Sequence, residues 1–297
     1  MFEPRVPVPS VSVPSLASDA IGVFDSGVGG LSVLRAIREA LPAEDLVYVA
    51  DSAYAPYGDK SEAFITERTL CVGTWLAQAG VKAITVACNT ATAVAARTLR
   101  AQTHLPVVAI EPAIKPAASL TRSGVVGVLA TRQTVQSDSV ARLSAQYGVD
   151  KRILLQACPG LVEQVERAEL HSPQTQALLR QYIEPLLAQG ADILGLGCTH
   201  YPFLRDSIQA IAGPNVTLLD PAQAVARELV RRLGPHVRDP NGPAGRVIVL
   251  TTGDVTLTRQ VVGQLWNGPC EVLGWQDKDK APPTPLKYRQ NVHLRGS

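Results

Sequence analysis

Short apolar runs alternate with stretches of helical periodicity along most of this chain, and that alternation restricts the fold more than any other feature. A strand buried on both faces reads as a continuous apolar run, whereas a helix covering it shows apolar residues three and four apart. Runs of the first kind are Ile21 to Phe24, Leu46 to Val49, Ala83 to Ala87, Val107 to Ile110, Val125 to Leu129, Ile193 to Leu196, Val216 to Leu219 and Val247 to Leu250. Between them, Leu31, Leu34, Ile37 and Leu41 share one helical face, as do Leu204, Ile208 and Ile211. Such alternation is the signature of βαβ units and therefore of an α/β fold on parallel sheet. The segment Ala83 to Ala96 passes from strand through Cys88, Asn89 and Thr90 into helix, and Ile193 to Ala212 echoes it. Two similar parallel-sheet halves facing each other are the expected architecture.

The chain has 297 residues, 46% of them hydrophobic, which suffices for one large or two ordinary domains. Its net charge is +2 and its basic residues are scattered, so the concentrated positive face of a nucleic-acid binder is not expected. The densest cluster, Arg227, Arg231 and Arg232, contains Glu228 and adjoins Leu229, Val230 and Leu233, and reads as the solvated face of a helix. No apolar stretch approaches the ~20 residues that span a bilayer, so no membrane partner is expected. Residues 1–20 contain Pro7, Pro9 and Pro14 but no cationic n-region or compact apolar h-region, and read as a flexible extension. Residues 276–297, with Pro282, Pro283 and Pro285, read as a flexible tail. Five irregularly spaced cysteines are not a secreted disulfide framework, and a reducing cytoplasm fits them best.

In open α/β sheets, ligands bind beyond the carboxyl ends of the strands. The first informative turn there is Asp25-Ser26-Gly27-Val28-Gly29-Gly30. Its glycines permit positive φ and close backbone approach, as an anion cradle requires, and Asp25 would point its carboxylate at the site. A dinucleotide fingerprint fails because Ser32 occupies the third glycine position, although Asp51 lies at about the distance of a ribose-binding acid. A P-loop fails because no Lys-Ser or Lys-Thr follows. A plain tight turn accounts for the glycines as well, but not for Asp25.

The second turn is Ala87-Cys88-Asn89-Thr90-Ala91-Thr92, where the N-terminus of the following helix would lower the Cys88 pKa and favour thiolate. In the third, Gly197-Cys198-Thr199-His200-Tyr201-Pro202, Pro202 suits a first helical turn and His200 is a proton partner for Cys198. A single buried cysteine is ordinarily a small core residue, but two in matched turns indicate chemistry. Cys71, within a helical pattern, and Cys158 and Cys270, which lack the following polar pair, read as structural.

Asp25-Ser26-Gly27-Val28-Gly29-Gly30-Leu31, Pro56-Tyr57-Gly58, Ala87-Cys88-Asn89-Thr90-Ala91-Thr92-Ala93 and Gly197-Cys198-Thr199-His200-Tyr201-Pro202 resemble, in order, the signature set of bacterial glutamate racemases. The resemblance runs from about Ile21 to Trp266. It implies two α/β domains with the active site in the cleft between them, the chain crossing near Glu111 and returning near Asp220. The first domain is then residues 21–111 with 220–275, and the second 112–219. It further implies cofactor-independent interconversion of L- and D-glutamate, supplying D-glutamate for peptidoglycan, by an enzyme that is often a homodimer.

Racemisation removes the α-proton of an amino acid and returns one to the opposite face of a planar carbanion, so it needs an acid/base group on each side. Thiols suit this because their pKa can be tuned near ambient pH. The resemblance implies that Cys88 takes the proton from D-glutamate and Cys198 from L-glutamate. Asp25 would support Cys88, and His200 with Glu166 would support Cys198, so the two thiols should titrate asymmetrically. The segment around Glu166 matches the family loosely, and an exposed helix carboxylate is the other reading of that residue. Asp25, Ser26, Tyr57, Gly58, Asn89, Thr90, Thr199 and His200 match substrate-binding positions, with Thr131 and Thr134 as further candidates. No metal or pyridoxal site is implied.

The run Ala50-Asp51-Ser52-Ala53-Tyr54-Ala55 departs from the family's usual Gly-Asp-Thr-Ala, and nothing in Met1 to Ala20 resembles the nucleotide-activator site of some extended members. Other readings are an aspartate racemase of the same superfamily, a Cys198/His200 hydrolase that leaves Cys88 idle, a zinc site on Cys88, Cys198 and His200 with poor ligand spacing, and a non-enzymatic amino-acid-binding protein.

Overall fold

Two parallel sheets organise the computed structural model, which describes residues 19–275. The expected flexible tail, and all but the last two residues of the expected extension, lie outside the described residues. In chain order the strands are β1 (Ile21–Asp25), β2 (Leu46–Ala50), β3 (Ala83–Val86), β4 (Val107–Ala109), β5 (Val125–Ala130), β6 (Arg152–Ala157), β7 (Ile193–Gly197), β8 (Thr217–Leu219), β9 (Val247–Thr251) and β10 (Glu271–Gly274). The first sheet has the order β10-β9-β2-β1-β3-β4 and the second β6-β5-β7-β8. Thus β2-β1-β3-β4 and β6-β5-β7-β8 have the same order, which is the duplication expected from the echoed cysteine segments. Corresponding strand ends carry Asp25 and Ala130, Asp51 and Cys158, and Cys88 and Cys198.

The helices are α1 (Leu31–Ala40), α2 (Glu62–Gln78), α3 (Asn89–Gln102), α4 (Ile114–Leu120), α5 (Arg132–Gln136), α6 (Asp138–Tyr147), α7 (Leu161–Glu166), α8 (Pro173–Ala188), α9 (Arg205–Ala212), α10 (Ala222–Leu233) and α11 (Val255–Leu265). Helix α1 buries Leu31, Val33, Leu34, Ala36 and Ile37, the stripe visible in the sequence. Helix α10 buries Leu229 and Leu233 while Arg231 and Arg232 pair with Glu228 at 2.7 and 2.8 Å, so the basic cluster is a solvated face. Those two arginines hold the Glu228 carboxyl at about 2. Ala20 is fully buried, so packing begins inside the span read as an extension.

Strands β6 and β10 are additions to the sequence reading. Both are sheet edges: β6 has no fully buried residue and β10 has one, Val272. Polar residues interrupt both, Arg152 and Gln156 in β6 and Glu271 in β10, so neither shows the continuous apolar run that the edge strand β4 does.

Asp192, immediately before β7, ties the second sheet together at the ends away from the cysteines. Its carboxylate accepts from Thr121 Oγ1 at 2.5 Å, from the Arg122 amide at 2.7 Å and from the Ser123 amide at 2.9 Å. Partial burial opposes the charge, but these bonds prevail and hold the carboxyl at about 2. A carboxyl depressed by folding stabilises above its ordinary pKa of about 4, and that contribution disappears as pH falls toward 2. We expect Asp192→Ala to cost about 1 kcal/mol at neutral pH. Urea unfolding should show the difference shrinking as the pH is lowered.

Candidate active site

Loops following corresponding strands of the two sheets meet in one buried place. Cys88 is the N-cap of α3, and its sulfur accepts from the Ala91 amide at 3.4 Å. The same thiol donates to Ser26 Oγ at 3.6 Å, and Ser26 donates onward to Asp25 Oδ1 at 3.0 Å. On the other side, Cys198 Sγ lies 3.6 Å from His200 Nδ1, and His200 Nε2 lies 2.6 Å from Glu166 Oε1. Glu166 Oε1 also accepts from the Val28 amide at 2.8 Å, which connects the second sheet's loop to the first's. Asp25 joins the halves a second time, because its Oδ2 accepts from Thr199 Oγ1 at 2.8 Å.

Cys88, Cys198, Asp25 and His200 are each at most 5% exposed, so solvent scarcely reaches the titratable groups. The cavity bordered by Cys88, Cys198 and His200 also touches Ser26, Tyr57, Gly58, Asn89, Thr90, Thr131 and Thr199. Two residues expected at the substrate are not in its lining: Asp25 bonds to the lining residues Ser26 and Thr199, and Thr134 hydrogen-bonds to Thr131 and Thr90. Thr90 and Thr131 face each other across the cleft at 2.9 Å. Both polar atoms of the buried Asn89 amide lack a protein partner, so they are available to a polar ligand. The free space is ≈ 10 Å³, roughly one water, so the cavity must widen to admit an amino acid.

Electrostatics differ on the two sides. Burial pushes the Cys88 thiol well above its ordinary pKa, and the Asp25 carboxylate adds to that. The Ala91 amide and Ser26 pull the other way without prevailing. This corrects the expectation that the helix N-terminus makes Cys88 a thiolate: its local amide does act, but desolvation is larger. For His200, burial lowers the imidazole pKa, yet the hydrogen bonds and charges of Cys198 and Glu166 outweigh it and hold the ring well above its usual value. The imidazole beside Cys198 is thereby biased toward its charged form. Burial raises the Asp25 carboxyl, opposed by His200, Thr199 and Ser26.

The glycine loop serves close approach, as expected, but not positive φ. Gly27, Gly29 and Gly30 all lie outside the positive-φ region, and what they supply is space. A Cβ on Gly27 would collide with the Glu166 carboxylate, and one on Gly29 with the His200 ring. The loop is bare where the His200–Glu166 pair of the second sheet presses against it.

The profile described as Asp/Glu/Hydantoin racemase matches residues 21–229. The sequence is 48% identical over 270 residues to the glutamate racemase of Ralstonia pickettii (strain 12J), covering 91% of this chain and 95% of that one. The chain belongs to the glutamate racemases of the Asp/Glu/hydantoin racemase family. Its fold is similar to that of a glutamate racemase isoform from Bacillus anthracis, with TM-score 0.78, 30% identity and coverage of 87% of this chain and 97% of that one. It is also similar to Escherichia coli glutamate racemase in complex with L-glutamate and the activator UDP-MurNAc-ala, with TM-score 0.75, 33% identity and coverage of 86% and 98%.

Within this racemase fold, Cys198 lies at a strand-to-helix junction with Pro202 in the first helical turn, as expected, although that turn is a 3-10 segment, Tyr201–Leu204, ahead of α9. The side chain beside its sulfur is His200. One further reading changes. Tyr57 turns its hydroxyl away from the cavity to Asp51, at 2.5 Å, so only its ring and backbone face the ligand. Val162, an apolar wall of the cavity, was missed because it follows the unrecognised strand β6. Cys71 lies in α2, Cys270 is half-buried before β10, and Cys158 donates to the Gln156 carbonyl at 3.4 Å. Among the described residues, no three His, Cys, Asp or Glu side chains are grouped to hold a metal ion.

A methyl group at Gly29 should displace the His200 ring while leaving the sheets intact. Gly29→Ala is expected to lower kcat by about 10²-fold or more with an unchanged far-UV circular dichroism spectrum.

Proposed function

We propose that this chain interconverts L- and D-glutamate without a cofactor, with Cys88 and Cys198 as the two acid/base groups. The observation that carries the reading is the placement of these thiols: corresponding strand ends of duplicated sheets bring them to one cavity from opposite sides. A protonated thiol at Cys88 and an imidazole biased toward its charged form beside Cys198 make the arrangement in which Cys198 removes a proton and Cys88 returns one. That is the direction from L-glutamate. In reverse, Ser26 and Asp25 are the groups through which the Cys88 proton can be relayed.

His200 is oriented by Glu166 and stabilises charge on Cys198. The amides and hydroxyls at Ser26, Gly58, Asn89, Thr90, Thr131 and Thr199 hold the substrate's carboxylates and ammonium. Their number and spread around a closed cavity suit a small, highly charged ligand that must be fully desolvated. Glutamate is favoured over aspartate by the close similarity to curated glutamate racemases and to an E. coli relative in complex with L-glutamate. The product serves peptidoglycan synthesis. We place the enzyme in the cytoplasm, which suits five free cysteines, and carry from the family resemblance the expectation of a homodimer without a nucleic-acid partner. No described helix is long and apolar enough to cross a membrane.

In heavy water, L-glutamate should yield D-glutamate bearing α-deuterium, while the remaining L-glutamate keeps its protium early in the reaction. A single base serving both faces predicts deuterium in both pools from the start, and that result would sink the two-thiol mechanism.

The asymmetry of the thiols has its own test. Enantiomers have equal free energy, so kcat/KM is equal in both directions for any variant, and only the individual steps can differ. His200→Asn should slow proton removal by Cys198, raising the primary isotope effect with α-deuterated L-glutamate more than with the D-isomer. Equal increases would refute an unequal role for His200.

A further inference from the structure

We propose that Asp51 and Arg68 are positioning residues that hold the Tyr57–Gly58 edge of the active site against the substrate. The inference rests on the functional reading above. Asp51 directly follows β2, its amide donates to the Asp25 carbonyl at 3.0 Å, and its side chain is wholly buried. Four donors converge on that carboxylate. Arg68 Nε reaches Oδ2 at 2.9 Å and Nη2 reaches Oδ1 at 3.0 Å, a two-pronged contact from the middle of α2. Tyr57 Oη donates to Oδ2 at 2.5 Å, and Thr252 Oγ1, from the end of β9, donates to Oδ1 at 3.0 Å. Burial and the Asp51 charge push the Tyr57 phenol well above its ordinary pKa, so Tyr57 keeps the proton it donates.

The loop between β2 and α2 is therefore gripped from below at several points. The Arg68 guanidinium also covers the Tyr54 ring at 4.1 Å, and the Tyr57 ring packs at 6.3 Å from Phe24 and 6.4 Å from Phe64. The upper side of the same loop borders the cavity, where Gly58 is so close to Thr131 of the second sheet that a Cβ would lie 2.8 Å from the Thr131 Cβ. Tyr57 and Gly58 open a 3-10 turn, whose first amides have no acceptor within the turn. Those amides can meet a substrate carboxylate only while the loop keeps its height and tilt, and the Asp51–Arg68 pair sets both. An ion pair with fixed two-pronged geometry specifies one orientation, which an apolar contact of equal size does not.

Neither thiol hydrogen-bonds to this loop: Cys88 follows β3 and caps α3, and Cys198 follows β7. Loosening the loop should thus weaken a grip present in ground and transition states alike, raising KM more than it lowers kcat. The variants are Arg68→Lys, which keeps the charge and loses the fork, and Tyr57→Phe, which removes only the hydroxyl's bond to Asp51. For each we expect a rise of about tenfold in KM, and in the calorimetric Kd for D-glutamate, with kcat within about threefold of wild type. Urea unfolding of each variant establishes that it is folded under assay conditions. If wild-type protein turns over glutamate and both folded variants keep KM and Kd within twofold, the positioning role is refuted. It is equally refuted if kcat falls while KM stays constant. If wild-type protein itself neither binds nor turns over glutamate, the functional reading fails instead.

Discussion

A planar carbanion has two faces, and a single parallel sheet presents its strand ends to only one of them. Acid/base groups on both faces require two sets of strand ends pointing at each other. The duplicated order, β2-β1-β3-β4 and β6-β5-β7-β8, supplies this, since a cysteine follows the third strand of each set within two residues. Much else in the molecule follows from making the two sets meet. The glycines of the first loop give room to Glu166 and His200, and Asp25 accepts a hydroxyl from its own loop and another from the opposite one. A carboxylate at the seam, fully buried, is tolerable only because both sheets contribute hydrogen bonds to it.

Burial also decides the charges. Desolvation favours the neutral form of every group it touches, and Cys88, with a carboxylate nearby, is left a thiol. His200 experiences the same burial but has Cys198 and Glu166 as partners, and these reverse the outcome. Duplication therefore yields two similar frames with dissimilar electrostatics. A symmetric pair of sites would give both thiols the same neighbours, whereas Cys88 has Ser26 and Asp25 beside it and Cys198 has His200.

The sequence made the interior strands and the site's centre legible because both are local. Val125 to Leu129 or Ile193 to Leu196 is buried on two faces and looks so, and Cys88 with Asn89 and Thr90 is a contiguous motif. Strand β6 was not legible, since Arg152 and Gln156 interrupt it and none of its residues is fully buried. That omission concealed Val162 in the segment that follows, whereas Glu166 was reached through the family resemblance. Glu166 is joined to His200 across 34 residues and to Val28 across 138, distances at which no sequence spacing can pair them. The pKa of Cys88 was misjudged for a related reason. The helix end is visible in the sequence, but the depth of burial and the proximity of Asp25 exist only in the fold.

The same contacts that assemble the site close it. Bonds across the cleft include Val28 to Glu166, Ser32 to the Thr199 carbonyl, Thr199 to Asp25, and Thr90 to Thr131. Each hydrogen bond contributes on the order of 1 kcal/mol net, so closure rests on a difference of a few kcal/mol. That is small enough for an open form to be populated at the per cent level or somewhat below. It is also large enough for the closed form to exclude water during proton transfer. A dry apolar seam of the same area would be harder to open, because its contacts are not replaced by water when the sheets part. Hydroxyls and amides lose a protein partner on opening and gain a solvent one, and on closing around a charged amino acid they exchange solvent for substrate. Polar closure thus holds the two halves together through groups that water can satisfy when they part.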